Sequence, residues 1–185
     1  MTESFRLVPF DSATAPARVR LEGDLSRTDE RLRLRYRLAD PGGTLRIPPA
    51  APAPRRRDEL WSRTCLELFL AVPGSVAYWE VNLSPSGDWN VYRLSGYRQG
   101  LAPEPAVTAL PFAVERCGDG LELKLEFHLA PLVATGQPLQ MAVTAVLEHH
   151  TPPGVSGEGP LSYWALGHPG PVADFHDRDG FLLRI

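Results

Sequence analysis

Lysine is nearly absent from this chain: there is one, Lys124, against 18 arginines. Acidic residues outnumber basic ones 22 to 19, for a net charge of −3. Such a balance gives no concentrated basic face for phosphate, so a nucleic-acid partner is not expected. The Arg55-Arg56-Arg57 triplet has no interleaved aromatics and reads as a solvated loop. Cysteine is scarce as well. Cys65 and Cys117 cannot build a disulfide framework or a four-thiolate zinc site, and both are expected as free thiols. No run approaches the roughly 18 apolar residues of a membrane span, so a membrane partner is not expected either. Met1–Asp11 lacks the basic and apolar regions of a secretory signal, and the expected location is the cytoplasm.

Sustained helical periodicity is also missing. The one short helix candidate is Ala130–Thr135. The 19 prolines and 16 glycines cut the chain into short pieces, most of which alternate apolar and polar residues as half-buried strands do. In 31–38, Leu32, Leu34, Tyr36 and Leu38 alternate with four arginines, and 121–128 repeats the pattern. Further strands are expected at 18–22, 64–72, 77–84, 87–95, 106–115, 139–148, 161–166 and 180–185. Two breaker-rich loops, Pro41–Asp58 and Thr151–Pro160, interrupt them. At 185 residues the chain is expected to be one domain, 1–185. Short strands separated by turns predict an all-β fold, a two-sheet antiparallel β-sandwich with less than about a tenth of the chain in helix, against a usual third.

Two stretches depart from plain strand grammar. In 64–72, Cys65, Glu67 and Phe69 share one face and Leu66, Leu68 and Leu70 the other, which predicts a strand covered on both sides. Glu67 then needs a hydrogen-bond donor or a raised pKa. Asn82, Tyr92, an arginine or a ligand hydroxyl are the donors in view. The second stretch is 77–93. Ser84-Pro85-Ser86-Gly87 reads as a turn. Trp79, Val81 and Leu83 face one side of its first arm, and Tyr78, Glu80 and Asn82 the other.

These residues carry a resemblance. Leu60-Trp61 to Phe69, the run from Tyr78-Trp79-Glu80 to Asn90-Val91-Tyr92, Tyr97-Arg98, Tyr163-Trp164 to His168-Pro169 and Asp174-Phe175-His176 resemble bacterial DOMON-like proteins. Those are similar to family-nine carbohydrate-binding modules. The likeness covers most of 60–185. It implies an immunoglobulin-like or jelly-roll sandwich that binds a sugar or, in other branches, haem.

Within that frame the ligand-binding candidates are Trp61, Glu67, Asn82, Trp89, Trp164 and His168. An indole matches the apolar C–H face of a pyranose, which makes Trp61, Trp89 and Trp164 stacking candidates; the competing role for each is core filling. Trp79, in register with Val81 and Leu83, is the core tryptophan. Glu67, Glu80 and Asn82 offer directed acceptors and donors for hydroxyls, or else brace the hairpin with Arg63, Arg93 or Arg98. His149, His150, His168 and Asp174-x-His176 match no recognised metal spacing. Haem would need two histidines, or one with Met141. No G-x-S-x-G, phosphate loop or H-E-x-x-H occurs, and Glu67 and Glu80 lie on different strands. The expectation is a non-enzymatic binder of a sugar-like small molecule, with no cofactor. A domain that binds a protein partner is the alternative, and a haem protein or small enzyme the third reading.

Overall fold

A computed structural model describes residues 2–185 except Thr14, Ala17, Pro152, Pro153 and Val155. Thirteen strands are present among the described residues: β1 (Thr2–Arg6), β2 (Val8–Pro9), β3 (Arg20–Thr28), β4 (Arg31–Ala39), β5 (Cys65–Ala71), β6 (Tyr78–Leu83), β7 (Trp89–Leu94), β8 (Ala102–Pro103), β9 (Phe112–Cys117), β10 (Gly120–His128), β11 (Gln140–Glu148), β12 (Leu161–Ala165) and β13 (Leu183–Arg184). They form two antiparallel sheets. One runs β1-β3-β4-β10-β9, the other β2-β12-β11-β5-β6-β7-β8, with β13 beside β12 on the same edge of β11. Among the described residues helix is confined to two single 3₁₀ turns, Leu60–Ser62 and Arg178–Gly180.

The strict alternation of β4 and β10 sets the first sheet. Leu32, Leu34, Tyr36 and Leu38 point inward and are buried, as are Leu121, Leu123, Leu125 and Phe127 opposite them. The outward arginines form a charge ladder: Arg31 and Arg33 reach Glu126, and Arg35 and Arg37 reach Asp24 at 2.6 and 2.8 Å. Exposed pairs of this kind add little stability each, about 0–1 kcal/mol, but they keep the face soluble and in register.

The inner face of the second sheet supplies Leu66, Leu68 and Leu70 from β5, Val81 and Leu83 from β6, and Met141, Val143, Ala145 and Leu147 from β11. All belong to one apolar core with the first sheet. Met141 is wholly buried there, packed in the apolar core.

Several local expectations change. The 106–115 strand begins only at Phe112, because Pro105 and Pro111 break the alternation; Val107 and Leu110 instead plug the core from a loop. Ala130–Thr135 is not a helix: the Leu132 and Val133 amides both bond the Leu129 carbonyl, at 2.8 and 3.0 Å, and the turn stops there. Arg56 is not a solvated residue. Its guanidinium stacks 4.6 Å over Trp89, donates to the Asn90 side chain at 2.9 Å and reaches the Val107 carbonyl. These bonds fasten 55–58 to the edge of β7. Both cysteines are free, Cys65 buried and Cys117 exposed. Pro152, Pro153 and Val155 of the expected 151–160 loop lie outside the described residues.

Candidate functional site: a roofed cavity on the outer face of the second sheet

β5 is central, between β11 and β6. Its outward residues pair across three strands. Glu67 lies opposite Thr144 on β11 and Asn82 on β6; Phe69 lies opposite Ala142 and Glu80. Glu67 and Glu80 are therefore diagonal neighbours on one face, close enough to interact. This face is covered by chain rather than by a sheet. The 3₁₀ turn at Leu60–Ser62 brings Trp61 over it, and the segments around Arg98 and 173–176 close the other side.

Between floor and roof lies a cavity of about 410 Å³, lined among others by Trp61, Glu67, Phe69, Glu80, Arg98, Tyr163, Phe175 and His176. Small-molecule sites span about 300–1,000 Å³ and combine apolar walls with a few directed polar groups. The walls here are aromatic. Trp61 meets Tyr92 edge-on at 5.6 Å, Tyr163 meets Phe175 at 6.0 Å, and Phe69 meets His176 at 5.3 Å.

The roof is pinned by polar bonds. Arg98 donates to Asp174 at 2.9 Å, Tyr97 donates to the other oxygen of Asp174 at 2.5 Å, and the His176 amide caps the same carboxylate at 3.0 Å. Glu59 and Arg98, beside the two roof segments, both hold left-handed backbone (φ 58° and 52°). Non-glycine residues adopt that region at a cost, and it is concentrated at binding sites.

The floor is polar and sparsely satisfied. Thr144 donates its hydroxyl to Glu67 Oε2 at 3.1 Å, and the Asn82 amide donates to Glu80 Oε1 at 2.9 Å. Asn82 Oδ1 is buried without a hydrogen-bond partner. Burial raises the Glu67 carboxyl well above its usual range, and the neighbouring Glu80 pushes it further; the Thr144 bond opposes both. Burial also raises Glu80, against the pull of Asn82 and Arg98. His176 goes the other way: burial and Arg98 lower it to about 4. The Tyr78 hydroxyl accepts from the Arg98 amide (3.2 Å) and lies 2.8 Å from His176 Nδ1. Full use of these groups assigns the tyrosine proton to Nδ1, leaving Nε2–H facing Glu80 Oε2 at 4.0 Å.

Of the six sequence candidates, Trp61 and Glu67 line the cavity and Asn82 lies in its floor network. The other three are elsewhere. Trp89 pairs with Leu83, so it faces inward, a core residue under Arg56. Trp164 pairs with Ala145, also inward, and donates its indole N–H to Ser162 at 2.9 Å. His168 bonds the Val8 carbonyl at 3.0 Å and packs edge-on against Phe10, outside the cavity.

Tyr163, Phe175, His176 and Arg98 stand in the resemblance but not among the six candidates, and Thr144 was not singled out. Tyr163 had a signal: it alternates with Trp164, so one must face out if the other faces in. Trp89 had one against it, since it follows a hairpin whose Leu83 already faced inward. Phe175 and His176 come from irregular chain, which no periodicity reports. Among the described residues no group of three or more His, Cys, Asp or Glu side chains is gathered to hold a metal ion.

No protein-family model matches the chain, and no curated protein matches it in sequence. Solved structures do. A Bacteroides uniformis protein, provisionally described as carbohydrate-binding, superposes with a TM-score of 0.65 at 15% identity, covering 96% of this chain and 83% of that one. A family-nine carbohydrate-binding module from Caldicellulosiruptor kristjanssonii, in complex with cellotriose, gives a TM-score of 0.46 at 13% identity, over 82% of this chain and 67% of that one. Its glucose complex gives the same score and identity, over 82% and 69%. The likeness to the first is one of fold: two antiparallel sheets in a sandwich.

Proposed function

We propose that the chain binds a carbohydrate or a similar small polar ligand, without catalysis, in the cavity over β5, β6 and β11. The observation that carries this reading is the pairing of a sparsely bonded polar floor, Glu67 and Glu80, with aromatic walls from Trp61, Tyr163 and Phe175. Sugars need both. Their hydroxyls seek directed donors and acceptors, and their C–H faces seek flat π-surfaces. The fold shared with a protein provisionally described as carbohydrate-binding supports the same reading.

Two features favour binding over turnover. Glu67 and Glu80 rise from one face of one sheet, so both meet a ligand from below, whereas glycoside hydrolysis needs carboxylates flanking the bond. Cys65 is wholly buried and its thiol is pushed well up by that burial, which makes it a packing residue rather than a nucleophile.

The test is calorimetric titration of wild type, Trp61→Ala and Glu67→Gln with a panel of neutral and charged mono- and disaccharides. The reading expects saturable binding by wild type and at least about a tenfold weakening in each variant. Ligand binding that survives both substitutions unchanged rejects the cavity as the site.

A further inference from the structure

The floor of the cavity holds more carboxyl oxygens than its own donors satisfy. Each carboxylate has one donor, Thr144 for Glu67 Oε2 and Asn82 for Glu80 Oε1. Glu67 Oε1 has no donor among the described residues, and Glu80 Oε2 has only His176 Nε2 at 4.0 Å, beyond hydrogen-bond reach. Both side chains are more than nine-tenths buried and both line the cavity.

Among the described residues no arginine or lysine forms an ion pair with either carboxyl, although Arg98 draws Glu80 towards its charged form. Arg98 reaches the cavity wall, but its guanidinium is held by Asp174 at 2.9 Å. Arg63, two residues past Trp61, is held by Glu148 and Glu158 at 3.0 and 2.9 Å. His176 is neutral above about pH 4. The other titratable neighbours are Cys65 and Tyr36 near Glu67, Tyr78 near Glu80, Tyr92 opposite Glu80 on β7, and Tyr163 on the cavity wall; burial holds the first four above their usual range. Two facing carboxylates in a site walled by Trp61, Phe69, Tyr163 and Phe175 make a receptor for a cation, since π-faces also attract positive charge.

We infer that the ligand of this cavity carries an ammonium group: an amino sugar or amino polyol whose nitrogen sits on Glu67 and Glu80 while its hydroxylated body lies against Trp61. This rests on the proposal that the cavity is a ligand site, and it names the ligand's chemical class. An ammonium group supplies up to three N–H donors, enough for the free oxygens of Glu67 and Glu80. Binding of the preformed ammonium ion releases the proton that a neutral Glu67 carries, so affinity rises with pH while the amine stays charged.

The experiment compares matched pairs by calorimetry at pH 5 and 6.5: glucosamine with glucose, galactosamine with galactose, mannosamine with mannose, and each N-acetyl derivative. The expected result is that at least one amino sugar binds about tenfold or more tighter than its hydroxyl and N-acetyl partners. It binds more tightly at pH 6.5 than at pH 5, and Glu67→Gln and Glu80→Gln each erase the preference. Neutral sugars binding as tightly as amino sugars overturns the inference and leaves the site reading intact. Failure of every compound to bind wild type overturns both. Preference retained in both folded Gln variants also overturns the inference.

Discussion

Tyr36 and Glu67 join the two sheets: the phenol of Tyr36, in the centre of β4, donates across the core to the backbone carbonyl of Glu67 on β5. The same hydroxyl reaches the Thr144 carbonyl on β11 at 3.2 Å. The rung that carries the floor carboxylate and its hydroxyl donor is thus held from behind by the opposite sheet. Tyr36→Phe removes this clamp with little loss of volume. It should lower stability by about 1–2 kcal/mol, the usual value of a buried hydrogen bond plus the carbonyl left short of a partner. The urea midpoint, at unchanged slope, checks this.

Glu67→Gln should not destabilise the protein at neutral pH. Glu67 has no cationic partner to orphan, and its raised pKa means that ionisation in the folded state is unfavourable. The sign follows from linkage. The folded carboxyl keeps its proton above the ordinary 4.5, so its contribution is full below that pH and fades as pH rises towards the folded value. As pH rises above that ordinary value, the stability of wild type relative to the Gln variant should fall. A loss of several kcal/mol in Glu67→Gln at pH 7 would instead identify a charged brace.

His176 predicts the opposite slope at acid pH. Its pKa, lowered to about 4 by burial and Arg98, lies below the ordinary 6.5. Between about 6.5 and 4 the unfolded chain takes a proton that the folded one refuses, so His176 removes stability as pH falls, by up to about 3 kcal/mol. Glu67 and Glu80 act in the other direction over part of this window, so the measurement is the difference between wild type and His176→Gln from pH 4 to 7. The variant should lose less stability than wild type as pH falls from about 6.5 to 4.

Trp164→Ala should cost about 3–5 kcal/mol, as expected for removing a buried indole from a packed core. Trp61→Ala, on the roof, should cost much less in stability while weakening ligand binding at least about tenfold. Thermal unfolding of both variants separates the two roles.

The fold was readable because the strands obey a period of two so plainly. Leu32 to Leu38, Leu66 to Leu70, and Trp79 with Val81 and Leu83 all face where alternation puts them. The floor of the site followed from the same rule, since Glu67, Glu80 and Asn82 interrupt an apolar face. The walls did not. Trp89 and Trp164 are large aromatics that the rule assigns to the core once register is followed across the hairpin and from β11 to β12. Composition alone cannot tell such residues from Trp61. Arg98, Phe175 and His176 come to the cavity on irregular chain, set by the Asp174 bonds and not by any repeat. Thr144 was invisible as a donor because pairing of β5 with β11 joins residues 77 positions apart.

The four tryptophans provide the most direct test of the central claim, that the ligand enters the roofed cavity of the second sheet. Each indole N–H gives its own signal in a ¹⁵N-labelled sample, and each side chain sits in a different environment. Trp61 lines the cavity, Trp79 donates to Glu104 at 3.0 Å, Trp89 lies under Arg56 and Trp164 bonds Ser162. Titration with the tightest-binding amino or hydroxyl hexose should move the Trp61 indole signal, together with the Arg98 and His176 amides, and leave the other three indoles nearly still. A titration that shifts the indole of Trp89 or Trp164, or amides of the Arg31–Arg37 ladder, while Trp61 stays fixed would contradict the account.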